Sequence, residues 1–184
     1  MRSRTEKALA DALISLCAER PFSEIGVRDV CARCGLSRQS FYNHFPDKYA
    51  LVDRIFIAEA LEPAAEPGRR GSFARVMAAR LSALKKNLRF YQRVLQDNSF
   101  QDSFYAALRQ ALCALVAARS ASGAPDGDVA FQIDFYCRGC VRTVSGWLLS
   151  GAKTPVHELA EALENCLPDG LARYLSNDYL SDYL

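Results

Sequence analysis

An all-α fold is what the sequence predicts, and three observations predict it. Apolar residues recur at i, i+3, i+4 through nearly the whole chain, the spacing of one buried helical face. No stretch of length alternates apolar and polar residues with the period of two that a half-buried strand needs. Between residues 27 and 44 two short helical segments flank a glycine-containing turn, a supersecondary unit that packs helix on helix.

That unit organises the rest. Val27, Val30 and Cys31 form one buried face, and Gly35 follows Cys34 where the helix should stop. Glycine takes a left-handed backbone conformation there without steric penalty. Ser37 then stands as an N-cap, with Arg38, Gln39 and Ser40 as the next first turn. Phe41 and Phe45, four apart, hold this second helix on its support. The result is a helix-turn-helix, whose second helix can enter the major groove and turn its first residues to base edges.

In order, residues 4–19 carry Ala8, Leu9, Ala12, Leu13, Leu16 and Cys17 as an amphipathic first helix, capped by Ser3 or Thr5. Pro21 and Ser23 mark its exit, Phe22 and Ile25 plug the small core, and Gly26 caps the second helix. Asp47 caps a fourth helix to about residue 60, with Leu51, Val52, Ile55 and Phe56 on one side. Lys48 opposes the helix dipole in that first turn, which points to an external anion. The Pro- and Gly-rich stretch 61–71 cannot continue a helix and marks a junction between a head, 1–60, and a second domain, 72–184.

The second domain reads as helices at 72–87, 90–96, 99–119, 129–150 and 155–175. In the fourth of these, Phe131 and Phe135 face away from Ile133, Cys137, Cys140 and Trp147, so two sides need cover. Thr154 and Pro155 cap and open the last helix, and Pro168, Asp169 and Gly170 kink or break it. The tail repeats Asp-Tyr-Leu at 178–180 and 182–184.

With 184 residues the chain makes one or two small domains, and half of its residues are apolar. Its net charge of +2 does not announce a nucleic-acid binder. No apolar run approaches the ~18 residues of a membrane span, and Asp11 interrupts the one stretch resembling a signal peptide, so the chain reads as cytoplasmic. Seven cysteines, an odd number, read as free thiols in a reducing compartment. Residues 68–120 hold ten basic and two acidic side chains, whereas 121–184 hold four and nine. The basic middle either meets an anion or forms the solvated faces of two helices.

The run from Gly35 through Leu36, Ser37, Arg38, Gln39, Ser40, Phe41, Tyr42, Asn43, His44 and Phe45 to Lys48 and Leu51 resembles the DNA-binding signature of TetR-family transcriptional regulators. Ser40 takes the position of the family's threonine, and Gly26 stands where the family places a threonine cap, so a phosphate contact through that hydroxyl is not carried over. The resemblance implies double-stranded operator DNA, near-palindromic, as partner and a homodimer through helices 129–150 and 155–175. Arg38 and Gln39 are then base readers, since Arg suits guanine and Gln adenine in bidentate contact. Ser40, Tyr42, His44 and Lys48 fall where the family contacts phosphates; Arg28, Ser37 and Asn43 complete the candidate set. Buried hydrogen-bonded aromatics are the alternative for Tyr42 and His44.

Most of the family repress, which implies a repressor released by a small-molecule effector. Residues 147–151, before a Thr-Pro helix start, resemble a TetR subgroup that includes regulators of dihydroxyacetone kinase operons, some of which activate with a protein partner. A second domain without a cavity would favour that alternative. Candidate effector contacts are Arg80, Cys137 and Cys140. Arg80 falls inside an apolar stripe, where it snorkels, pairs with a buried acid such as Asp134, or faces a pocket for an anionic effector. Cys137 and Cys140, with Arg138 and Arg142 near enough to lower a thiol pKa, make a redox or metal sensor the third reading. Cys31/Cys34 and Cys137/Cys140 share zinc-like spacing, but each pair lies within a helix and ~100 residues separate them, so neither a metal nor another cofactor is expected. Catalysis finds no support: only two histidines occur, with no phosphate loop and no nucleophile elbow.

Overall fold

The structure, a computed structural model, describes residues 3–62, 73–97, 99–120 and 123–175. The proposed junction thus lies almost wholly outside the described residues, as does the Asp-Tyr-Leu tail. Among the described residues every regular element is helical, and no helix is long and apolar enough to cross a membrane.

The head starts with α1 (Arg4–Glu19), whose cap is Ser3: its hydroxyl accepts from the Glu6 N–H at 3.1 Å. A 3-10 turn at Phe22–Glu24 leads to α2 (Val27–Cys34). Gly26 brings no side chain to this cap, and Asp29 compensates by accepting from the Gly26 N–H at 2.8 Å. Gly35 ends α2 at φ +71°, as the turn requires. Ser37 caps α3 (Arg38–Tyr42) by accepting from the Ser40 N–H at 3.0 Å. Asp47 caps α4 (Lys48–Phe56) through the Tyr49 and Ala50 N–H groups at 2.9 and 2.8 Å. The helix then widens into a π-turn, Ile57–Leu61, which aims Glu59 at the second half: Tyr91 Oη and Asn87 Nδ2 both donate to its carboxylate at 2.7 Å.

The second half comprises α5 (Phe73–Lys86), α6 (Leu88–Val94), α7 (Ser99–Arg119), α8 (Gly127–Leu149), α9 (Val156–Asn165) and α10 (Asp169–Leu175). α5 packs along α9 and α7 along α8, while α1 touches α6 and α4 touches α7. Pro168 breaks the expected final helix outright into α9 and α10. Thr154 does not cap α9 with its hydroxyl; its carbonyl accepts from Trp147 Nε1 at 3.0 Å, which fastens the α8–α9 loop.

One apolar cluster runs from Leu9 to Leu175, so head and second half share a core. The seam is aromatic. Phe100 meets Phe22 edge-on at 5.4 Å and stacks on Tyr49 at 5.6 Å, and one turn later Phe104 stacks on Phe56 at 3.9 Å.

Asp53 lies beside that seam. Ser103 of α7 hydrogen-bonds its carboxyl, but Oδ1 is buried with no partner among the described residues. Burial raises its pKa above the ordinary carboxylate value. A raised native pKa stabilises at acid pH, and that contribution is lost as pH climbs through the native value. Asp53→Asn is therefore expected to gain on the wild type in thermal melts as pH rises from about 4 to 7; a constant difference across that range would refute the assignment.

Candidate nucleic-acid interface

The α2–α3 unit turns a polar surface outward on an apolar support. Phe41 is fully buried, Phe45 nearly so, and their rings lie 5.9 Å apart. A five-residue helix has no stability of its own, so this burial holds α3 in position. Cys31 and Cys34 pack inside: their thiols donate to the Ser37 and Val30 carbonyls at 3.6 and 3.2 Å. Among the described residues no cluster of three His, Cys, Asp or Glu side chains could hold a metal ion.

Arg28, Arg38, Gln39, Tyr42, Asn43 and His44 are exposed along this surface, and Ser40 is half-buried. Tyr42 keeps 53% of its surface, so it is not the buried aromatic of the alternative reading; its ring rests edge-on against Phe41. Gln39 Nε2 donates to Asn43 Oδ1 at 3.1 Å, which fixes the two amides relative to each other. Ser37 uses its hydroxyl oxygen as the α3 cap.

Charge pairing sorts the head's cations. Arg33 is bidentate on Glu19 at 2.7–2.8 Å, Arg20 lies 3.1 Å from Asp29, and Arg54 bridges Glu6 and Glu62. Among the described residues no acid pairs with Arg28 or Arg38. His44 Nδ1 is 3.6 Å from Glu6, the acid Arg54 also approaches, so a chain of polar contacts runs from just past α3 to Glu62.

Lys48 departs from expectation. Its ammonium donates to the Phe22 and Ile25 carbonyls at 2.8 and 2.7 Å and lies 4.2 Å above the Phe22 ring. Burial lowers its pKa. The anion-like partner that offsets its unfavourable place on the helix dipole is internal: the Phe22 carbonyl of the 3-10 turn, which also accepts from the Ile25 N–H at 3.1 Å, and the Ile25 carbonyl. Lys48 thus pins that turn to α4 instead of standing free.

Beneath α4 lies a small cavity of about 60 Å³, walled by Phe56, Ala60 and Leu61 above and by residues of α5 to α9 around it. Arg80 is the one charged residue among its described lining, beside Met77, Leu81 and Leu84 of the same helix face. Desolvation lowers the Arg80 pKa, and the residue is half-buried at the cavity wall. It does not pair with Asp134, whose carboxylate takes Tyr105, Arg138 and Arg109 on the α7–α8 surface.

The two cysteines separate. Cys140 lines the cavity, whereas Cys137 is fully buried and does not reach it. Burial pushes the Cys137 thiol up to about 12 and Cys140 up to about 11. Arg138 and Arg142 turn outward to Asp134 and Gln101, so they lower neither thiol, and a reactive thiolate pair is not what this helix builds.

A family model described as bacterial regulatory proteins of the tetR family matches residues 9–55, and one described as a transcriptional regulator C-terminal region matches residues 74–169. Among solved structures the chain is similar to the dihydroxyacetone kinase operon activator DhaS, with TM-score 0.66 and 20% identity over 94% of this chain and 99% of that one. It is similar to a TetR transcriptional regulator from Streptococcus agalactiae, with TM-score 0.55 and 22% identity over 94% of each chain. A tetR-family regulator from Streptomyces coelicolor follows, with TM-score 0.54 and 15% identity over 97% of this chain and 94% of that one. At these identities the solved structures speak to the fold alone. No curated protein matches the sequence.

Lys48→Met keeps the aliphatic stem and removes both charge-assisted bonds, so it should cost about 2 kcal/mol in urea unfolding. An unchanged midpoint would return Lys48 to the free surface.

Proposed function

The chain belongs to the TetR family of bacterial regulatory proteins, and on that premise we propose that it is a homodimeric repressor acting in the cytoplasm, held on a near-palindromic operator until a small molecule enters the cavity under α4. The observation that carries this reading is a shared wall. Phe56, Ala60 and Leu61, at the end of the helix that supports the head, line the same cavity as Cys140, Val141 and Val144 of α8. An occupant touches both the head's support and the helix that we propose joins the subunits. The family's alternative, an activator controlled by a protein partner, suits a body without such a cavity.

α8 supports the subunit contact. Phe131 and Phe135 are 72% and 70% exposed, four residues apart on one face. Gly139 and Gly146 continue that face, and a Cβ added to either would meet nothing within 4 Å. Glycine inside a helix costs about 1 kcal/mol relative to alanine, and no described residue of the subunit uses the space it leaves. A second copy of α8 crossing closely, with α9 beside it, would use the glycines and cover the phenylalanines.

A dimer carries two α3 helices to two half-sites about 34 Å apart, one turn of DNA. In this reading Arg38 and Gln39 meet base edges, and Ser40, Tyr42, Asn43 and His44 meet the phosphates, with Arg28 at the flank. Lys48 acts from behind by holding the 3-10 turn. An effector that favours a different spacing of the heads shifts the population off DNA by no more than its differential affinity for the two spacings.

Selecting operators from random DNA, with and without a cell metabolite extract, tests the whole reading. Loss of binding with extract supports release, and binding that requires a protein fraction supports the activator. Within the selected operator, Tyr42→Phe should weaken all variants alike by about fivefold, the value of one hydrogen bond, while Gln39→Ala should change the order of preference among them. A uniform loss for Gln39→Ala removes it from the base readers. Phe131→Glu should yield a monomer by light scattering; a variant that stays dimeric moves the interface off α8.

A further inference from the structure

The head holds a second chemistry that its outward polar surface does not use. Cys31 and Cys34 stand three residues apart in the last turn of α2, and Gly35 ends the helix directly after them. Cys31 is 3% exposed, and its thiol donates at 3.6 Å to the carbonyl of Ser37, the cap of α3. Cys34 is half-buried at the rim of the turn, where its thiol donates to the Val30 and Cys31 carbonyls at 3.2 and 3.6 Å. The Cys31 carbonyl also accepts from the N–H groups of Gly35 and Leu36, the latter at 3.0 Å. Both cysteines are thus built into the turn that seats α3 on α2, a helix too short to form without that seat.

We propose that Cys31 and Cys34 are a thiol–disulfide switch, oxidised by a low-molecular-weight disulfide, whose oxidised form unseats α3. On a regular α-helix residues three apart hold their Cβ atoms about 5–6 Å from each other, whereas a disulfide needs about 3.5–4.5 Å. The bond therefore closes only if the last turn of α2 tightens toward 3-10 geometry, which eclipses i and i+3. Tightening draws the Cys31 carbonyl away from the Gly35 and Leu36 N–H groups, and the new bond removes the thiol proton that Cys31 donates to Ser37. A disulfide closed against such a distortion is readily reduced, which makes the switch reversible. Cys34 reacts first, because a small disulfide can reach it. Cys31 is buried, and that burial raises its thiol; the neighbouring Cys34 adds to the rise and Arg38 opposes it. The Cys34 thiolate attacks one sulfur of the small disulfide, forming a mixed disulfide and releasing one thiol. Cys31 then attacks the Cys34 sulfur and expels the second thiol. Two electrons and two protons pass from the pair to the small disulfide, which leaves as two thiols. The effect on DNA rests on the reading of α3 given above; the effect on α3 itself does not.

The test treats the reduced full chain, free of DNA, with oxidised glutathione, alkylates the remaining thiols and digests the product with trypsin. Cleavage after Arg28, Arg33 and Arg38 leaves Cys31 in residues 29–33 and Cys34 in residues 34–38, so the pair should appear as two peptides joined by one disulfide. In the oxidised chain the Phe41 and Asn43 amides, which donate to the Ser37 and Gln39 carbonyls, should lose their protection from hydrogen exchange. Affinity for the selected operator should fall by about tenfold or more, the worth of one misplaced bidentate base contact, and dithiothreitol should restore it. Cys34→Ser keeps a donor for the Val30 carbonyl and cannot form the bond, so its exchange and its operator affinity should be indifferent to oxidised glutathione. The assignment is overturned if no joined peptides appear or if the reaction stops at glutathione on Cys34. It is equally overturned by a joined pair that leaves α3 protection or operator affinity unchanged, or by a loss of affinity that persists in Cys34→Ser. A reduced chain that binds no operator counts against the DNA reading, while the joined peptides and the exchange still decide the switch.

Discussion

The contact on which the rest depends is the aromatic seam between α4 and α7. Phe22, Tyr49 and Phe56 belong to the head by sequence, Phe100 and Phe104 to the second half, and their rings stack or meet edge-on without a gap. Aromatic pairs bury large areas and prefer a few geometries, so the seam fixes the angle of α4. α4 in turn underlies α3, which is too short to form without support. Loosening the seam would free the reading surface from the body. The same rings, Phe56 and Phe104, form a wall of the cavity, so ligand space and head position meet at one contact.

Around this seam the polar groups divide into those that hold the head together and those left to face outward. Arg20, Arg33, Arg54 and Lys48 are all engaged within the head, by acids or by carbonyls. Among the described residues no hydrogen bond or ion pair to an acid or carbonyl engages Arg28 or Arg38. A modest net charge is therefore compatible with a nucleic-acid surface, because the cations that matter for association are the unneutralised ones on one face. The chain His44–Glu6–Arg54–Glu62 also links the reading helix to the end of the π-turn, a second line from body to head beside the aromatic one.

The helices were legible because their signals are local. Glycine after Cys34, serine before Arg38 and aspartate before Lys48 each act on the backbone within three residues, and each forms the turn or cap its chemistry demands. Phe131 and Phe135 could be assigned outward from helical phase alone. Lys48 could not be read this way, because the carbonyls it binds lie more than twenty residues earlier, at the 3-10 turn. The cysteines of α8 mislead for a similar reason: spacing puts them near two arginines, but rotamer and burial send thiols inward and guanidiniums outward. Asp29's replacement of a missing cap hydroxyl had a visible signal in its place three residues after Gly26.

By itself the sequence determined the helical class, the helix-turn-helix and the outward phenylalanines, since periodicity and capping depend only on near neighbours along the chain. Only the tertiary structure decided which cations remain unneutralised, that Asp134 belongs to Tyr105 and the surface arginines, and that Arg80 is left facing an apolar chamber. Those outcomes depend on which distant side chain arrives at each polar group. Spacing along the chain carries no record of that arrival.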